Sequence, residues 1–415
     1  MSDALVRLML RLLLGWHPSG TLLVEEGDGS RRYGAGEPLV SVEVRSPRVW
    51  RMLLRGSRGL ADAYAQRLWD SPDLVGAIAL AARKAAALDR LRGLLGLALR
   101  PLRLVRALLS PSTRRRRRQE IAAHYDLGSE LFARMLDPTM SYSCAVFERA
   151  DMSLEEAQLA KLERVCEKLD LRPSDRVLEI GTGWGAFAIH AAATRGCHVT
   201  TTTISAEQHA HAVELVRRAD LCDRVTVLME DYSDLRGRYD KLVSIEMIEA
   251  VGWRGFGAFL ATCSRLLAPH GAMLLQAITI DERLFELEKA SKSFINTIIF
   301  PGGCLPSLGV IGDQLARISD MRILDVEDLT ADYVQTLSRW REAFAANEGE
   351  LAAYGYDERF RRLWRLYLAY CQAGFQERRI RDFQLVMTKP EWRAPARRAA
   401  MRGEDTGPRD ALLGA

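Results

Sequence analysis

The feature that most constrains the fold is a short apolar segment that runs directly into a glycine-rich turn and then into an alanine-rich helix. The segment is RVLEI (176–180), the turn carries glycine at every second position from Gly181 to Gly185, and the helix is AFAIHAAATRG. This βαβαβ pattern predicts a doubly wound, mainly parallel α/β sheet whose ligand lies at the carboxyl ends of the strands. The further predicted strands are 198–203, 224–230, 239–247 and 272–279.

The spacing of the turn indicates which class of nucleotide it binds. It reads E-x-G-x-G-x-G from Glu179, and it lacks the GxGxxG spacing that brings a diphosphate onto a helix N-terminus. Glycines let the backbone approach a ligand closely, and a carboxylate accepts hydrogen bonds from an ammonium or an amide. A zwitterionic amino-acid tail suits this arrangement better than a diphosphate. The turn therefore favours S-adenosylmethionine over NAD or FAD.

Basic residues are concentrated at the front of the chain. Residues 1–118 carry 22 Lys and Arg against 10 Asp and Glu, whereas the remainder carries 36 against 44. A stretch of leucines and arginines at 91–109 leads into five consecutive arginines, Arg114–Arg118. Such a segment is typical of one that lies on anionic lipid, although a solvated linker has the same composition. A nucleic-acid partner is less favoured, because no aromatic residues interleave the run for base stacking.

These shifts in composition divide the 415 residues into three parts. Residues 1–118 are predicted as a smaller, membrane-associating α+β domain that ends in the polybasic linker, with strands at 21–26 and 39–44. Residues 119–390 are predicted as the catalytic domain, and residues 391–415 as a disordered tail. The cysteine spacing indicates no metal site, and we find no membrane span or signal peptide. We expect a cytoplasmic protein, peripherally associated with the inner face of the cell membrane.

Six motifs, the glycine turn among them, resemble the cyclopropane fatty acid synthase family, which includes the mycolic acid cyclopropane synthases. The resemblance covers about residues 20–390. It implies a class I methyltransferase fold with a seven-stranded sheet and a helical insertion at 281–319 over an acyl-chain channel. The motifs are HYDLGSELFARMLDPTMSYSCAVFE (124–148), EAQLAKLERVCEKLDL (156–171), VLEIGTGWG (177–185), TTISAEQ (202–208), VSIEMIEAVG (243–252) and IFPGGCLPS (299–307).

The resemblance also implies the reactants. S-adenosylmethionine would be the methyl donor, and the substrate would be the double bond of an unsaturated acyl chain on a membrane phospholipid. An anionic bilayer surface is then the expected partner, with no nucleic acid, and a homodimer is compatible with the family.

The resemblance, together with the turn, places ten residues around the cofactor. The first five would contact its methionine part, the next three would replace the usual ribose-binding acid, and the last two would lie near the adenine. Taken alone, the threonine and the glutamine after the second strand have the character of surface residues. The ten are Tyr142, Ser143, Glu179, Gly181, Gly183, Thr203, Ile204, Gln208, Asp231 and Tyr232.

The chemistry sets further demands on the site. An alkene that attacks a sulfonium methyl becomes a carbocation, so the site must exclude water, hold negative charge and supply a base. In the family a bound bicarbonate is that base, and the resemblance places it among five residues. They are Cys144 and Ile278 through backbone N–H groups, and Glu249, Gln276 and Tyr333 through side chains.

Two positions depart from the commoner family pattern. The family's LLHTI reads LLQAI here, so Gln276 stands in place of a histidine, and Ala250 likewise replaces a histidine after Glu249. Glutamine donates a hydrogen bond but cannot take a proton. Either bicarbonate remains with fewer charged partners, or Glu249 acts as the base directly. Of Glu246 and Glu249, one can serve merely as a helix cap, and we place Glu249 in the site.

The product stays open between two outcomes. Loss of a proton from the new methyl closes a cyclopropane, whereas loss from a neighbouring chain carbon leaves a methylated or methylene-branched chain. Cyclopropane formation is the first expectation, although LEIGTGWG with SIEMIEAVG and LLQAIT resembles a subgroup that includes makers of methylene-branched chains. A nucleic-acid methyltransferase is the less favoured alternative, because IEMIEAVG stands where such enzymes usually carry a polar, proline-rich motif.

Overall fold

The computed structural model describes residues 20–87 and 128–394. The predicted boundary near residue 118 and the arginines Arg114–Arg118 lie outside the described residues, as does the predicted tail from residue 395 onward. Within the described ranges, no helix is long and apolar enough to cross a bilayer.

Residues 20–87 form a four-stranded sheet with three helices. Strands β1 and β3 are parallel, and both strands predicted there are present. Strand β2 was not predicted, because most of its side chains are exposed and it lacks apolar alternation. The strands are β1 (Gly20–Glu26), β2 (Gly29–Ala35), β3 (Leu39–Val44) and β4 (Trp69–Asp70), in the order β2-β1-β3-β4.

The helices of this unit are α1 (Arg48–Leu53), α2 (Gly56–Ala65) and α3 (Leu74–Ala87). The first two helices lie close together in the chain, and the short strand β4 follows them. Gly56 separates the helices, because its φ of +66° lies in the left-handed region that a continuous α-helix does not contain.

The second sheet has seven strands in the order β10-β11-β9-β8-β5-β6-β7. Strands β5 to β9 pair in parallel, and the last two strands join them antiparallel. The predicted doubly wound sheet of seven strands is thus confirmed. The strands are β5 (Arg176–Ile180), β6 (His198–Thr203), β7 (Val225–Met229), β8 (Tyr239–Ile245), β9 (Leu267–Ile280), β10 (Arg322–Asp328) and β11 (Ile380–Thr388).

Nine helices accompany this sheet within residues 128–394. Several begin at a side-chain cap: Ser153, Ser205, Ser307 and Asp357 each accept a hydrogen bond from the N–H three residues on. The helices are α4 (Ser129–Ala133), α5 (Leu154–Leu169), α6 (Ala186–Arg195), α7 (Ala206–Arg218), α8 (Phe256–Leu266), α9 (Phe285–Ala290), α10 (Leu308–Ile318), α11 (Thr330–Leu351) and α12 (Glu358–Gln376).

Between β9 and β10, the predicted insertion is helical. Besides α9 and α10 it holds short turns at Glu282–Leu284 and Ile295–Ile299. A further short helical turn, Ile248–Val251, follows β8 and carries Glu249.

The N-terminal unit packs directly against the catalytic unit and shares its hydrophobic core. At the junction, the buried guanidinium of Arg362 on α12 donates to the carbonyl of Tyr64 at 2.9 Å and to Asp70 Oδ2 at 3.0 Å. Arg83 on α3 also pairs with Glu377 at 2.8 Å. Because leaving a buried charge unpaired is costly, these contacts hold the two units in a fixed relation.

Candidate active site

The glycine turn between β5 and α6 has the backbone that its composition predicts. Gly181, Gly183 and Gly185 all have positive φ, at +102°, +52° and +99°. A side chain at Gly185 would lie 3.2 Å from Ala212 Cβ, so the position is closed to larger residues. The N–H groups of Gly181 and Thr182 donate to the carbonyl of Thr202, which joins the turn to the end of β6. The turn leaves open backbone at the strand ends, where ligands of such sheets bind.

All ten residues predicted around the cofactor line one cavity of about 580 Å³. Thr203 and Gln208 are buried within it, and Thr203 Oγ1 donates to Gln208 Oε1 at 2.9 Å. Their apparent surface character in the sequence is therefore wrong. Sequence reasoning did not include Lys161 or Trp184, which also line this cavity.

Glu179 is the buried acid of this cavity. It is 3% exposed and accepts a hydrogen bond from Thr201 Oγ1 at 2.6 Å. Burial raises the pKa of Glu179 to about 8, an effect that Thr201 and Lys161 only partly offset. A cationic ligand group beside it would favour the ionised carboxylate.

A second, more apolar cavity of about 750 Å³ lies between the insertion, α12 and the N-terminal sheet. Its walls include Val24 and Trp50 from the N-terminal unit, Ile295 from the insertion, and Tyr370 and Phe375 from α12. The channel expected beneath the insertion is present, but the contribution of residues 20–87 was missed. Apolar side chains at alternate positions of β1 and β3 were the available signal, since alternate residues share one face.

The two cavities share three lining residues, Tyr142, Glu246 and Ala250. The Tyr142 hydroxyl lies 2.7 Å from that of Tyr367 on α12. A group that passes from one cavity to the other must pass these side chains.

Glu246 occupies the centre of the site. Its Oε1 accepts hydrogen bonds from the backbone N–H of Cys144 at 2.8 Å and from Gln276 Nε2 at 3.0 Å. Its Oε2 accepts one from the Tyr333 hydroxyl at 2.5 Å. Burial raises the pKa of Glu246 above its usual value, while these donors oppose that shift. Glu246 was not among the residues predicted for the site, and the structure places it there together with Glu249.

Glu249 lies beside it, on the side of the apolar cavity. Its Oε1 accepts a 2.6 Å hydrogen bond from the N–H of Ile278, and its buried Oε2 contacts no donor among the described residues. Burial, and next the negative charge of Glu246, raise the pKa of Glu249 to about 8. The structure thus brings all five residues predicted for the bicarbonate site together, around two carboxyl groups.

Further ionisable groups surround this pair. Gln276 Nε2 also donates to Oδ2 of the fully buried Asp382 at 2.9 Å, and burial raises the pKa of Asp382 well above its usual range. Lys161 is 1% exposed and donates to Ser143 Oγ at 2.8 Å. Burial lowers the pKa of Lys161, and the charge of Glu246 opposes that shift.

A bicarbonate ion does not fit this donor set. Cys144, Gln276 and Tyr333 already donate to Glu246, and Ile278 donates to Glu249. A bound anion would have to displace one carboxyl group and then lie against the other, and like charges at such range repel strongly. The donors predicted to hold a bicarbonate ion are therefore the ones that hold these two carboxyl groups.

Residues 112–385, well over half of the chain, match the model of a known protein family, mycolic acid cyclopropane synthetase. The chain belongs to this family. The resemblance read from the motifs is thereby confirmed. Membership of this family means that the chain is an S-adenosylmethionine-dependent methyltransferase that acts on lipid acyl chains.

Two curated relatives differ in how much of the chain they match. Tuberculostearic acid methyltransferase UfaA1 of Mycobacterium tuberculosis (strain ATCC 25618 / H37Rv) is 37% identical over 345 residues, which is 80% of this chain and 79% of that protein. The cyclopropane-fatty-acyl-phospholipid synthase of Escherichia coli (strain K12) is 42% identical over 268 residues, 64% of this chain and 66% of that protein.

Solved structures of the family superpose on the catalytic unit. The cyclopropane synthase MmaA2 from Mycobacterium tuberculosis has a TM-score of 0.62 at 32% identity and covers 66% of this chain and 98% of its own. Mycolic acid cyclopropane synthase CmaA1, complexed with SAH and CTAB, has a TM-score of 0.61 at 33% identity with the same coverages.

Proposed function

We propose that the protein transfers the methyl group of S-adenosylmethionine to the double bond of an unsaturated acyl chain on a membrane phospholipid, and that proton loss then closes a cyclopropane ring. The meeting of a polar and an apolar cavity at Tyr142, Glu246 and Ala250 carries the proposal. One cavity suits a zwitterionic nucleoside and the other an aliphatic chain. Their junction is where a methyl group would cross.

The polar cavity supports the assignment of the ten cofactor residues. S-adenosylmethionine, when bound, supplies a methyl group on a positively charged sulfur. Gly181 and Gly183 allow close backbone approach to its amino-acid part, and the buried Glu179 gains a cationic neighbour in its ammonium. Asp231 and Tyr232 follow the end of β7 and border the same cavity, on the side assigned to the adenine.

The apolar cavity supports a long acyl chain as substrate. Each methylene buried from water contributes about 0.8 kcal/mol, so a chain that fills this space is bound without polar contacts along its length. The insertion and the N-terminal sheet both contribute walls to this cavity. Exclusion of water protects a carbocation from hydration until it loses its proton.

At the junction, the side chains supply what a cation requires. Tyr142 lines both cavities and Tyr367 lines the apolar one, and aromatic rings stabilise a cation near their faces. Glu246 provides negative charge at the same place.

A methylated or methylene-branched chain is the second candidate product. One argument for it is the relative named tuberculostearic acid methyltransferase, whose alignment covers 80% of this chain. Residues 112–415 alone make up less than that share, so the alignment also includes part of the N-terminal unit. The second candidate is also favoured by the departures from the commoner motif at Ala250 and Gln276. Both candidates share the methyl transfer and differ only in which proton leaves.

We also propose that the enzyme works at an anionic membrane surface on the inner face of the cell membrane. Its substrate chain belongs to a phospholipid that stays in the bilayer. The arginines Arg114–Arg118, outside the described residues, would supply the attraction, since each basic residue near such a surface contributes about 1 kcal/mol.

The test is incubation with methyl-labelled S-adenosylmethionine and either monounsaturated phospholipid vesicles or RNA. Label is expected in the lipid and not in RNA; label in RNA alone would overturn the lipid substrate. Mass spectrometry before and after mild hydrogenation then separates the products. A ring keeps its mass, whereas a methylene-branched chain gains two hydrogens, and the latter result would select the second candidate.

A further inference from the structure

We propose that the Glu246 carboxylate is the base that removes the proton from the substrate cation, in the place where the family holds a bicarbonate ion. The inference rests on the proposed function, because it assigns the proton acceptor of that reaction. It deepens that function by making the base a part of this chain.

The first support is the set of donors that hold the carboxylate. Cys144 lies before α5, Gln276 lies on β9 and Tyr333 lies on α11, so three separate elements aim a donor at one planar group. These donors were predicted to hold a free anion. A carboxylate presents two oxygens in a plane much as bicarbonate does, and three hydrogen bonds from donors favour its charged form.

The backbone gives a second, independent support. Glu246 follows the last residue of β8 and has a φ of +48°, in the left-handed region that residues other than glycine rarely adopt. Its own N–H donates to the carbonyl of Gln276 at 2.9 Å, which anchors this conformation. Such a conformation is strained for a residue with a side chain, and strained residues are concentrated at functional sites. Here it turns the side chain of Glu246 toward the junction.

The third support is access to the reacting atoms. Glu246 lines both cavities, whereas Glu249 lines only the apolar one and Asp382 lines neither. Glu246 is therefore the carboxyl group that borders the crossing point of the methyl. Glu249 is also held by Ile278, and burial, and next the charge of Glu246, raise its pKa to about 8.

The π electron pair of the alkene forms a bond to the methyl carbon as the carbon–sulfur bond breaks, and sulfur keeps that electron pair. The neighbouring carbon becomes a cation. A Glu246 oxygen then forms an O–H bond to one hydrogen of the new methyl, and the released C–H electron pair closes the ring; removal of a chain hydrogen instead forms a new double bond. The proton passes to water after the products leave.

The experiment compares Glu246→Gln with Glu246→Gly in the full chain. Glu246→Gln fills the same space without a base, and we expect turnover to fall by about 10²- to 10⁴-fold, the usual contribution of a general base. Glu246→Gly removes the side chain, relieves the φ of +48° and frees the three donors. Added formate or bicarbonate is therefore expected to restore activity to Glu246→Gly and not to Glu246→Gln.

Two controls keep the result specific. Asp220→Gly likewise replaces an acidic residue by glycine, at an exposed position with a φ of +56°. Its turnover is expected to equal that of the wild type and not to respond to formate. The affinity for S-adenosylmethionine and the melting temperature report folding, and both are expected to stay close to those of the wild type in Glu246→Gln. Glu246→Gly is expected to melt at a lower temperature, because its three donors are left without an acceptor until formate is added.

Wild-type protein in carbon-dioxide-free buffer completes the test. We expect its turnover to be unchanged by removing or adding bicarbonate. A wild-type rate that falls without bicarbonate and returns with it would overturn the inference, as would a Glu246→Gln variant of near-normal activity. Failure of the proposed function is distinguishable, since the wild type would then transfer no methyl to lipid under any of these conditions.

Discussion

Nε2 of Gln276 donates a 3.0 Å hydrogen bond to Oε1 of Glu246. The same nitrogen donates to Oδ2 of Asp382 at 2.9 Å, and Gln384 Nε2 donates to Gln276 Oε1 at 3.1 Å. The amide therefore links two buried carboxyl groups without adding a charge or a titrating group. A histidine at this position could gain a positive charge. Glutamine cannot, so the net charge of this buried cluster is set by its carboxyl groups and Lys161.

Replacing Gln276 by leucine is expected to destabilise the protein. It leaves Gln384 and Asp382 without their partner and removes one donor from Glu246, and an unsatisfied buried polar group costs about 1–3 kcal/mol. Urea unfolding would measure this loss. Gln66→Leu, at an exposed glutamine, is the matched control, with an expected change within about 0.5 kcal/mol. Equal stability of the two variants would contradict the role given to the Gln276 amide.

Glu249→Gln is expected to lower turnover by about tenfold, less than Glu246→Gln, while the Kd for S-adenosylmethionine stays unchanged. Glutamine can still accept the hydrogen bond from Ile278, but it cannot exchange a proton with its neighbour. Initial rates and isothermal titration would measure the two quantities, with Glu342→Gln at an exposed site as control. A larger loss for Glu249→Gln than for Glu246→Gln would reverse the assignment of the base.

The difference in stability between Glu249→Gln and wild type should depend on pH. Because the folded-state pKa of Glu249 is raised from 4.5 to about 8, folding favours the protonated acid. The free energy of unfolding contributed by this group is therefore highest below pH 4.5 and falls as the pH rises toward 8. We expect the melting temperature of Glu249→Gln relative to wild type to be higher at pH 8.5 than at pH 5.

The groups that face Glu249 and Glu246 are Tyr333, Asp382 and Lys161, and they are the same in both proteins. Burial, and next the charges of Glu246 and Glu249, raise the pKa of Asp382, so Glu249→Gln also relieves repulsion on Asp382 and shifts the melting-temperature difference in the same direction. If the melting-temperature difference between Glu249→Gln and wild type is the same at pH 5 and at pH 8.5, then Glu249 is not the group with the raised pKa.

Filling the apolar cavity from the N-terminal side should change substrate preference. Ala77 on α3 lines this cavity, so Ala77→Phe is expected to raise KM for phospholipids with longer chains several-fold more than for shorter ones. Ala345→Phe, at an exposed residue of α11, is the control. Identical chain-length profiles for Ala77→Phe and wild type would argue against the N-terminal unit as a wall of the substrate site.

Vesicle binding is expected to depend on the five arginines. Replacement of Arg114–Arg118 by glutamine should weaken sedimentation with anionic vesicles, and salt should weaken the wild type in the same way, because surface attraction is screened. Zwitterionic vesicles provide the comparison. Binding that responds to neither change would leave the arginines as a linker.

Much of the cofactor site could be predicted from local sequence. The residues from Glu179 to Gly185 determine the turn by their own backbone preferences, and each of the other cofactor residues follows a strand end or a recognisable motif. Sequence and resemblance placed Glu249 in the site and assigned no role to Glu246, although both follow β8 within four residues and have the same chemistry. Their order was decided by donors on Cys144 and Tyr333, which are more than 80 residues away in the chain.

The sequence by itself determined the doubly wound sheet, the glycine turn and the family, because these depend on hydrophobic periodicity and short motifs that act locally. Only the tertiary structure decided which carboxylate fills the centre of the site, since that depends on the left-handed backbone at Glu246 and on donors from three elements. It likewise decided that residues 20–87 wall the apolar cavity. Contacts between distant segments arise from packing, and no local pattern specifies them.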